Sequence, residues 1–164
     1  MKTILVTGGA GFIGTNFIKY LSRDHNYNII NVDKLSYGSN IDNLNDINDN
    51  YLFIKKDIND DLSDIIDNVD YIVNFAAESH VDRSIAEPKK FTKANINGVI
   101  NLLENVRKAD NNPKIIQIGT DEEYGDIMEG SFSEENLLKL LLAVNRAVLY
   151  FQIIAISSFN HLWK

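Results

Sequence analysis

Four glycines near the start of the chain follow an apolar run, Ile4 to Val6, and lead into a helical pattern, FIGTNFIKYL, whose first turn holds the last of them. Their spacing satisfies Gly-x-x-Gly-x-x-Gly at Gly8, Gly11 and Gly14, and Gly-x-Gly-x-x-Gly at Gly9, Gly11 and Gly14. The chemistry of such a turn is to hold a pyrophosphate. One glycine permits the tight turn, one lets backbone approach the phosphates, and one lets helix pack closely on strand. The helix N-terminus adds unpaired N–H groups and a partial positive charge. Glycines alone describe a flexible strand-to-helix turn equally well. Their context adds an acid. Asp33 closes the next apolar run, NIINVD, nineteen residues beyond Gly14, where a carboxylate can accept hydrogen bonds from ribose hydroxyls. Together these residues point to dinucleotide binding. A carboxylate repels a 2′-phosphate, so NAD is expected over NADP, and Lys34 softens that preference.

The elements that position these groups follow from the pattern along the chain. Strands are expected at residues 4–6, 29–33, 51–54, 71–75 (YIVNF) and 114–118 (KIIQI), each a short apolar run. Helices are expected from Phe12 to about Arg23, from Asp57 to Asp67 with acids in its first turn, and from Pro88 to Lys108. In the last, Phe91, Asn95, Val99, Leu102 and Val106 recur at helical spacing. Residues 39–50 are rich in Asn and Asp and read as loop with at most one helical turn. Strands alternating with helices imply an α/β fold with a doubly wound parallel sheet. Ligands of such sheets sit beyond the carboxyl ends of the strands.

Composition narrows the partners. The 164 residues suit one domain, and the net charge of −7 with no basic run argues against nucleic acid and anionic membrane. Without cysteine there is neither a disulfide framework nor a thiolate metal site, and three dispersed histidines argue against zinc, so no metal is expected. The stretch from Leu137 to Ile156 is apolar but carries Lys139 and Arg146. A charge near the centre of a membrane helix costs about 2.5–3.5 kcal/mol on insertion scales. The stretch therefore reads as a buried or subunit-facing helix, and the expected location is cytoplasmic.

Two further segments, NFAAESHVDRSI at residues 74–85 and GTDEEYGD at residues 119–126, join TGGAGFIG and VDKLSYGSN in a pattern over residues 1–136. That pattern resembles the extended short-chain dehydrogenase/reductase family, and within it the dTDP-glucose 4,6-dehydratases. The resemblance implies a Rossmann-type NAD-binding domain over residues 1–136 and a divergent apolar helical tail over residues 137–164, with the substrate domain largely missing. It implies a lyase that acts on a nucleotide sugar, dTDP-glucose. NAD oxidises carbon 4, water is eliminated across carbons 5 and 6, and carbon 6 is re-reduced. Two adjacent carboxyls with different protonation states suit the elimination. The resemblance makes Asp121 the acid, Glu122 the base, and Thr120 the partner of the carbon 4 hydroxyl. Besides Gly8, Gly11 and Gly14, it assigns Phe12, Ile13, Asp33, Lys34, Leu35, Ser36, Asp57, Ile58, Ala76, Ala77 and Glu78 to the cofactor. It places Ser79 near the sugar. By residue type alone, Asp121 to Glu123 read as a solvated acidic turn, and Asp57 as a helix cap.

The likeness departs in one chemical respect. The family carries a Tyr-x-x-x-Lys pair after FSEEN, where the tyrosine takes the carbon 4 hydroxyl proton and the lysine holds ribose. Aligned on AVNRA, Leu142 stands at the tyrosine position and Arg146 at the lysine position. Arginine can hold hydroxyls but does not freely replace lysine, and leucine has no acid–base group. The chain is about half the family's length, and the texture of its tail would suit a frameshifted reading. Impaired catalysis is therefore expected. Two alternatives stand beside the dehydratase. One is a non-catalytic NAD-binding module that forms a homodimer through the tail helix. The other is a sugar-nucleotide 4-epimerase-like enzyme.

Overall fold

A computed structural model describes residues 1–47, 50–120, 124, 127–133 and 135–136. Five parallel strands form one sheet in the order β3-β2-β1-β4-β5. They are β1 (Lys2–Thr7), β2 (Tyr27–Asp33), β3 (Tyr51–Lys55), β4 (Tyr71–Asn74) and β5 (Lys114–Gln117). The connecting helices are α1 (Phe12–Leu21), α2 (Ser63–Ile66), α3 (Val81–Ala86), α4 (Pro88–Thr92) and α5 (Gly98–Lys108). A 3₁₀ turn, Ile41–Leu44, follows β2. The chain divides into two compact units. The first, Met1–Ala77 with Asn101–Ile118, contains the whole sheet. The second holds Glu78–Ile100 and the described residues from Gly119 onward.

The alternation of side chains along a strand sorts the first unit into two layers. Ile4, Val6, Ile29 and Val73 share one face through the registers Ile4↔Ile29 and Val6↔Val73, and cluster with Ile18 of α1 and with Leu44. Phe17 of α1 and Phe75 close this layer with ring centroids 5.1 Å apart. On the other face Leu5, Val32 and Ile72 are sealed from solvent, as are Ile66 of α2 and Leu102 and Val106 of α5. A parallel sheet needs both faces covered, and its strands read as continuous apolar runs for that reason.

The expected helix over 57–67 shrinks to the four residues of α2. Side chains here outcompete the helical ladder. Asp57 Oδ1 accepts from the backbone N–H of Asn59 at 3.0 Å, and Asp60 Oδ2 accepts from the N–H of Asp57 at 2.9 Å. Asn101 of α5 takes the carbonyls of Ile58 and Asp60 at 2.7 and 2.8 Å, which a helix would have needed for itself. The expected long helix from Pro88 to Lys108 is interrupted by a π-helical turn, Lys93–Asn97, and α3 was not anticipated. Among the described residues no helix is long and apolar enough to cross a membrane; the apolar stretch at 137–156 lies outside them.

At the amino ends of the strands, Lys2 Nζ meets Asp70 Oδ1 at 2.5 Å, and the Thr3 N–H donates to Asp70 Oδ2 at 2.8 Å. The Lys2 hydrogen bond, then that of Thr3, holds the Asp70 carboxyl below its ordinary value of 3.8. A depressed folded-state value means that the contribution is full above the ordinary value and is lost as pH falls through the folded one. The stability gap between wild type and Asp70→Asn therefore narrows as pH drops below 3.8. Urea titrations at pH 7 and at acid pH check this. Leu5→Ala, which empties a fully buried position in the central strand, costs about 2–5 kcal/mol in the same assay.

Candidate functional site

Within the first unit, the carboxyl ends of β1, β2 and β4 converge on the glycine turn. Gly8 adopts φ +72, and its N–H donates to the Val32 carbonyl at 2.9 Å. A Cβ placed there would lie 2.6 Å from Ala76 N and 2.7 Å from Phe75 C, so the turn presses backbone on backbone against the segment after β4. Gly14 is equally constrained, because its Cβ would fall 2.5 Å from the Gly8 carbonyl oxygen. The Thr15 N–H makes the first full helical bond, to the Gly11 carbonyl at 2.9 Å. The amides of Phe12, Ile13 and Gly14 precede it and are the orphan donors of a helix start. Phe12 and Ile13 turn their side chains outward, 83% and 62% exposed. The arrangement is an amide-lined, electropositive cup suited to phosphate oxygens.

Asp33 stands beside the cup, 6% exposed. Its Oδ2 accepts from the Ala10 N–H at 3.0 Å, and its Oδ1 from the Leu35 N–H at 2.7 Å and the Ser39 hydroxyl at 3.3 Å. Leu35 reaches this bond with φ 60, in the left-handed region, which is strained for a branched side chain and clusters at functional sites. A carboxylate offers about four acceptor positions, so about one remains for an incoming hydroxyl donor. Lys34 Nζ lies 3.8 Å from Asp57 Oδ2, which ties the end of β2 to the end of β3. Ser36 accepts the Ser39 N–H at 3.1 Å through its carbonyl, and Ile58 is 5% exposed. Gly8 to Gly14, Asp33 to Ser36, Asp57, Ile58, Ala76 and Ala77 thus gather in one unit. Glu78, Ser79 and Thr120 belong to the second unit. Asp121, Glu122, Leu142, Arg146 and the tail lie outside the described residues.

Two buried amides support the cup and were not singled out from the sequence. Asn74, fully buried, receives the Thr7 hydroxyl and the Ala76 N–H (3.1 Å) on Oδ1, and donates to Gln117 Oε1 at 2.6 Å. It joins the ends of β1, β4 and β5 and orients the backbone that Gly8 touches. Asn31 donates to the Tyr51 hydroxyl at 2.8 Å, while its buried Oδ1 has no hydrogen-bond partner and lies where a Gly9 Cβ would be. Burial pushes the Tyr51 phenol up, with the Asn31 bond opposing. The available signal was a polar amide inside each apolar strand, in NIINVD and YIVNF. In the second unit, Asn95 sits in the π turn and brackets Glu78, accepting its N–H and donating to its carbonyl, both at 2.8 Å.

The Gly8 geometry makes a direct prediction. Gly8→Ala forces a left-handed φ on alanine, worth about 1–3 kcal/mol of strain, and drives its methyl into Ala76. Chemical denaturation should show a loss at or above that range.

Comparison with known proteins places the chain. The family model described as GDP-mannose 4,6 dehydratase matches residues 5–139. The low-salt glycan biosynthesis protein Agl12 of Haloferax volcanii is 44% identical over 139 residues, covering 82% of this chain and 44% of that protein. A dTDP-glucose 4,6-dehydratase of Streptomyces niveus is 42% identical over 144 residues, covering 81% of this chain and 42% of the relative. The crystal structure of a dTDP-glucose 4,6-dehydratase from Streptomyces venezuelae, solved with NAD bound, superimposes with a TM-score of 0.86 at 34% identity, over 98% of this chain and 52% of that one. Sugar-nucleotide 4-epimerases share the fold. The chain spans about half the length of the curated relatives it matches. With a Rossmann-type sheet, a glycine cup at its carboxyl edge and a family model that matches most of its length, the chain belongs to the GDP-mannose 4,6 dehydratase family.

Proposed function

We propose that the chain binds NAD and carries the cofactor half of a dTDP-glucose 4,6-dehydratase, a lyase acting on a nucleotide sugar. The observation that carries the reading is the Asp33 carboxylate, held by three donors beside the amide cup at the start of α1. The residues fit the cofactor chemically. Phe12, Ile13 and Gly14 offer amides to the pyrophosphate, Gly8 and Gly11 leave room for it, and Asp33 accepts from the adenosine ribose. The family resemblance assigns Lys34, Leu35, Ser36, Asp57, Ile58, Ala76, Ala77 and Glu78 to the same cofactor. When bound, NAD supplies the oxidation at carbon 4 of the sugar and the matching reduction at carbon 6.

The protein's own part is proton management. Thr120 and Ser79 hold the sugar. Glu122 removes the carbon 5 proton once carbon 4 is a ketone, and Asp121 protonates the departing hydroxyl. Leu142 at the tyrosine position leaves the carbon 4 hydroxyl without its usual base. Loss of a general base costs about 10²–10⁴-fold, so turnover by this chain is slow or absent. A cytoplasmic location belongs to the same proposal. The substitution at Leu142 also favours a second reading, a non-catalytic NAD-binding module.

Asp33→Ala should weaken NAD binding by roughly 10–100-fold, the value of hydrogen bonds to a charged acceptor. Isothermal titration measures it, and unchanged affinity sinks the cofactor assignment. Incubation with NAD and dTDP-glucose in heavy water, followed by proton NMR, then separates the readings. A 4-keto-6-deoxy sugar deuterated at carbon 5 supports the dehydratase. A carbon 4 epimer supports the epimerase. No product with NAD bound supports the binding module.

A further inference from the structure

The corner where β2 and β3 end holds more charge than ribose recognition requires. Asp33 is fixed by Ala10, Leu35 and Ser39. Lys34 follows it directly and is partly exposed, its side chain 36% accessible. Asp57, its side chain 23% accessible, sets Oδ2 at 3.8 Å from Lys34 Nζ. Its other oxygen is committed to Asn59, accepting the backbone N–H at 3.0 Å and the side-chain amide at 2.9 Å. The carboxylate is thus held by one oxygen and turns the other toward the lysine. The remaining lysines of this corner are Lys55, opposite Asp33 in the strand register, and Lys56, which donates to the Asp61 carbonyl.

NAD and NADP differ at this corner alone, by a phosphate on the adenosine ribose. A lysine next to the ribose-binding acid is a natural partner for that phosphate, and would erode the discrimination that Asp33 provides. We propose that Asp57 is a specificity-determining residue: it engages the Lys34 ammonium at the ribose corner and so keeps the site selective for the dinucleotide without a 2′-phosphate. The inference rests on the dinucleotide reading above. With Asp57 ionised the trio Asp33, Lys34 and Asp57 carries a net negative charge, and any phosphate must compete with Asp57 for the lysine. Without that charge the trio is neutral and a phosphate no longer competes with Asp57 for the ammonium.

The test is the ratio of dissociation constants for NADP and NAD, measured by titration calorimetry on the whole 164-residue chain. Asp57→Asn retains an Oδ1 acceptor for Asn59, so the turn survives and only the charge is removed. Any contact of residue 57 with adenine is common to both ligands and cancels in the ratio. Asp57→Asn should shift the ratio toward NADP by about fivefold, the worth of one unit-charge interaction at roughly 4 Å in water. In a Lys34→Ala background the same substitution should shift it by less than about twofold, because pairwise coupling vanishes when one partner is absent. Raised ionic strength should compress the fivefold shift. An unmoved ratio, or an equal shift with and without Lys34, overturns the proposal while NAD binding stands. A wild-type chain that binds neither dinucleotide overturns the binding reading and this inference with it.

Discussion

The contact on which the site depends is a backbone one. Gly8 turns with positive φ directly against Ala76, so close that a side chain would sit 2.6 Å from Ala76 N. Because β1 and β4 are adjacent in the sheet, the turn leaving one strand and the segment leaving the other must share the same space. Glycine resolves the conflict by having nothing to place there. Once Gly8 is seated, its carbonyl accepts from Gly11 at 3.2 Å, and the chain enters α1 with its first amides facing outward. The electropositive cup is thus a consequence of strand packing and is formed without any charged side chain.

Side-chain amides do the second level of positioning. Asn74 couples three strand ends, Asn101 holds the loop that carries Asp57 and Ile58, and Asn111 caps the carbonyls of Ile66 and Val69 at 2.9 and 2.6 Å. Each satisfies backbone groups that the loops leave without ladder partners, which a buried loop cannot leave open. An amide suits this task because it donates and accepts at once without a charge to desolvate. The acidic excess of the chain is then free for the surface and for the β2–β3 corner.

What was legible in the sequence was what is local. Ile4 to Val6, the glycine spacing and the helix from Phe12 report one strand–turn–helix whose geometry is decided within some twenty residues, and the structure places them as expected. The parallel sheet also followed, since alternation of strand and helix permits few topologies. The segment 57–67 was misread because its acids are as good at capping turns as at opening helices, and the deciding partner, Asn101, lies more than forty residues away. The π turn at Lys93–Asn97 escaped for a similar reason. Helical periodicity runs through it unbroken, and what marks it is the bracket between Asn95 and Glu78. At the site, Asp33 was legible as an acid at a strand end. Its donors Ala10 and Ser39 were not, because the fold alone brings them to it.

This division between local and assembled features bears on how far binding and catalysis can part company. The cup, Asp33 and the groups that hydrogen-bond to them all lie within Met1–Ala77 and Asn101–Ile118. The proposed loss of a base at Leu142 concerns a proton acceptor, whereas the cup is built by Gly8 and Gly14 packing on backbone. Function resides in sites carried by a fold and not in the fold itself, so holding a dinucleotide and moving protons fall to different groups. The family relationship and the proposed loss of a base at Leu142 are compatible for that reason. A sequence can keep every group needed to grip a dinucleotide while the group that starts the reaction has changed.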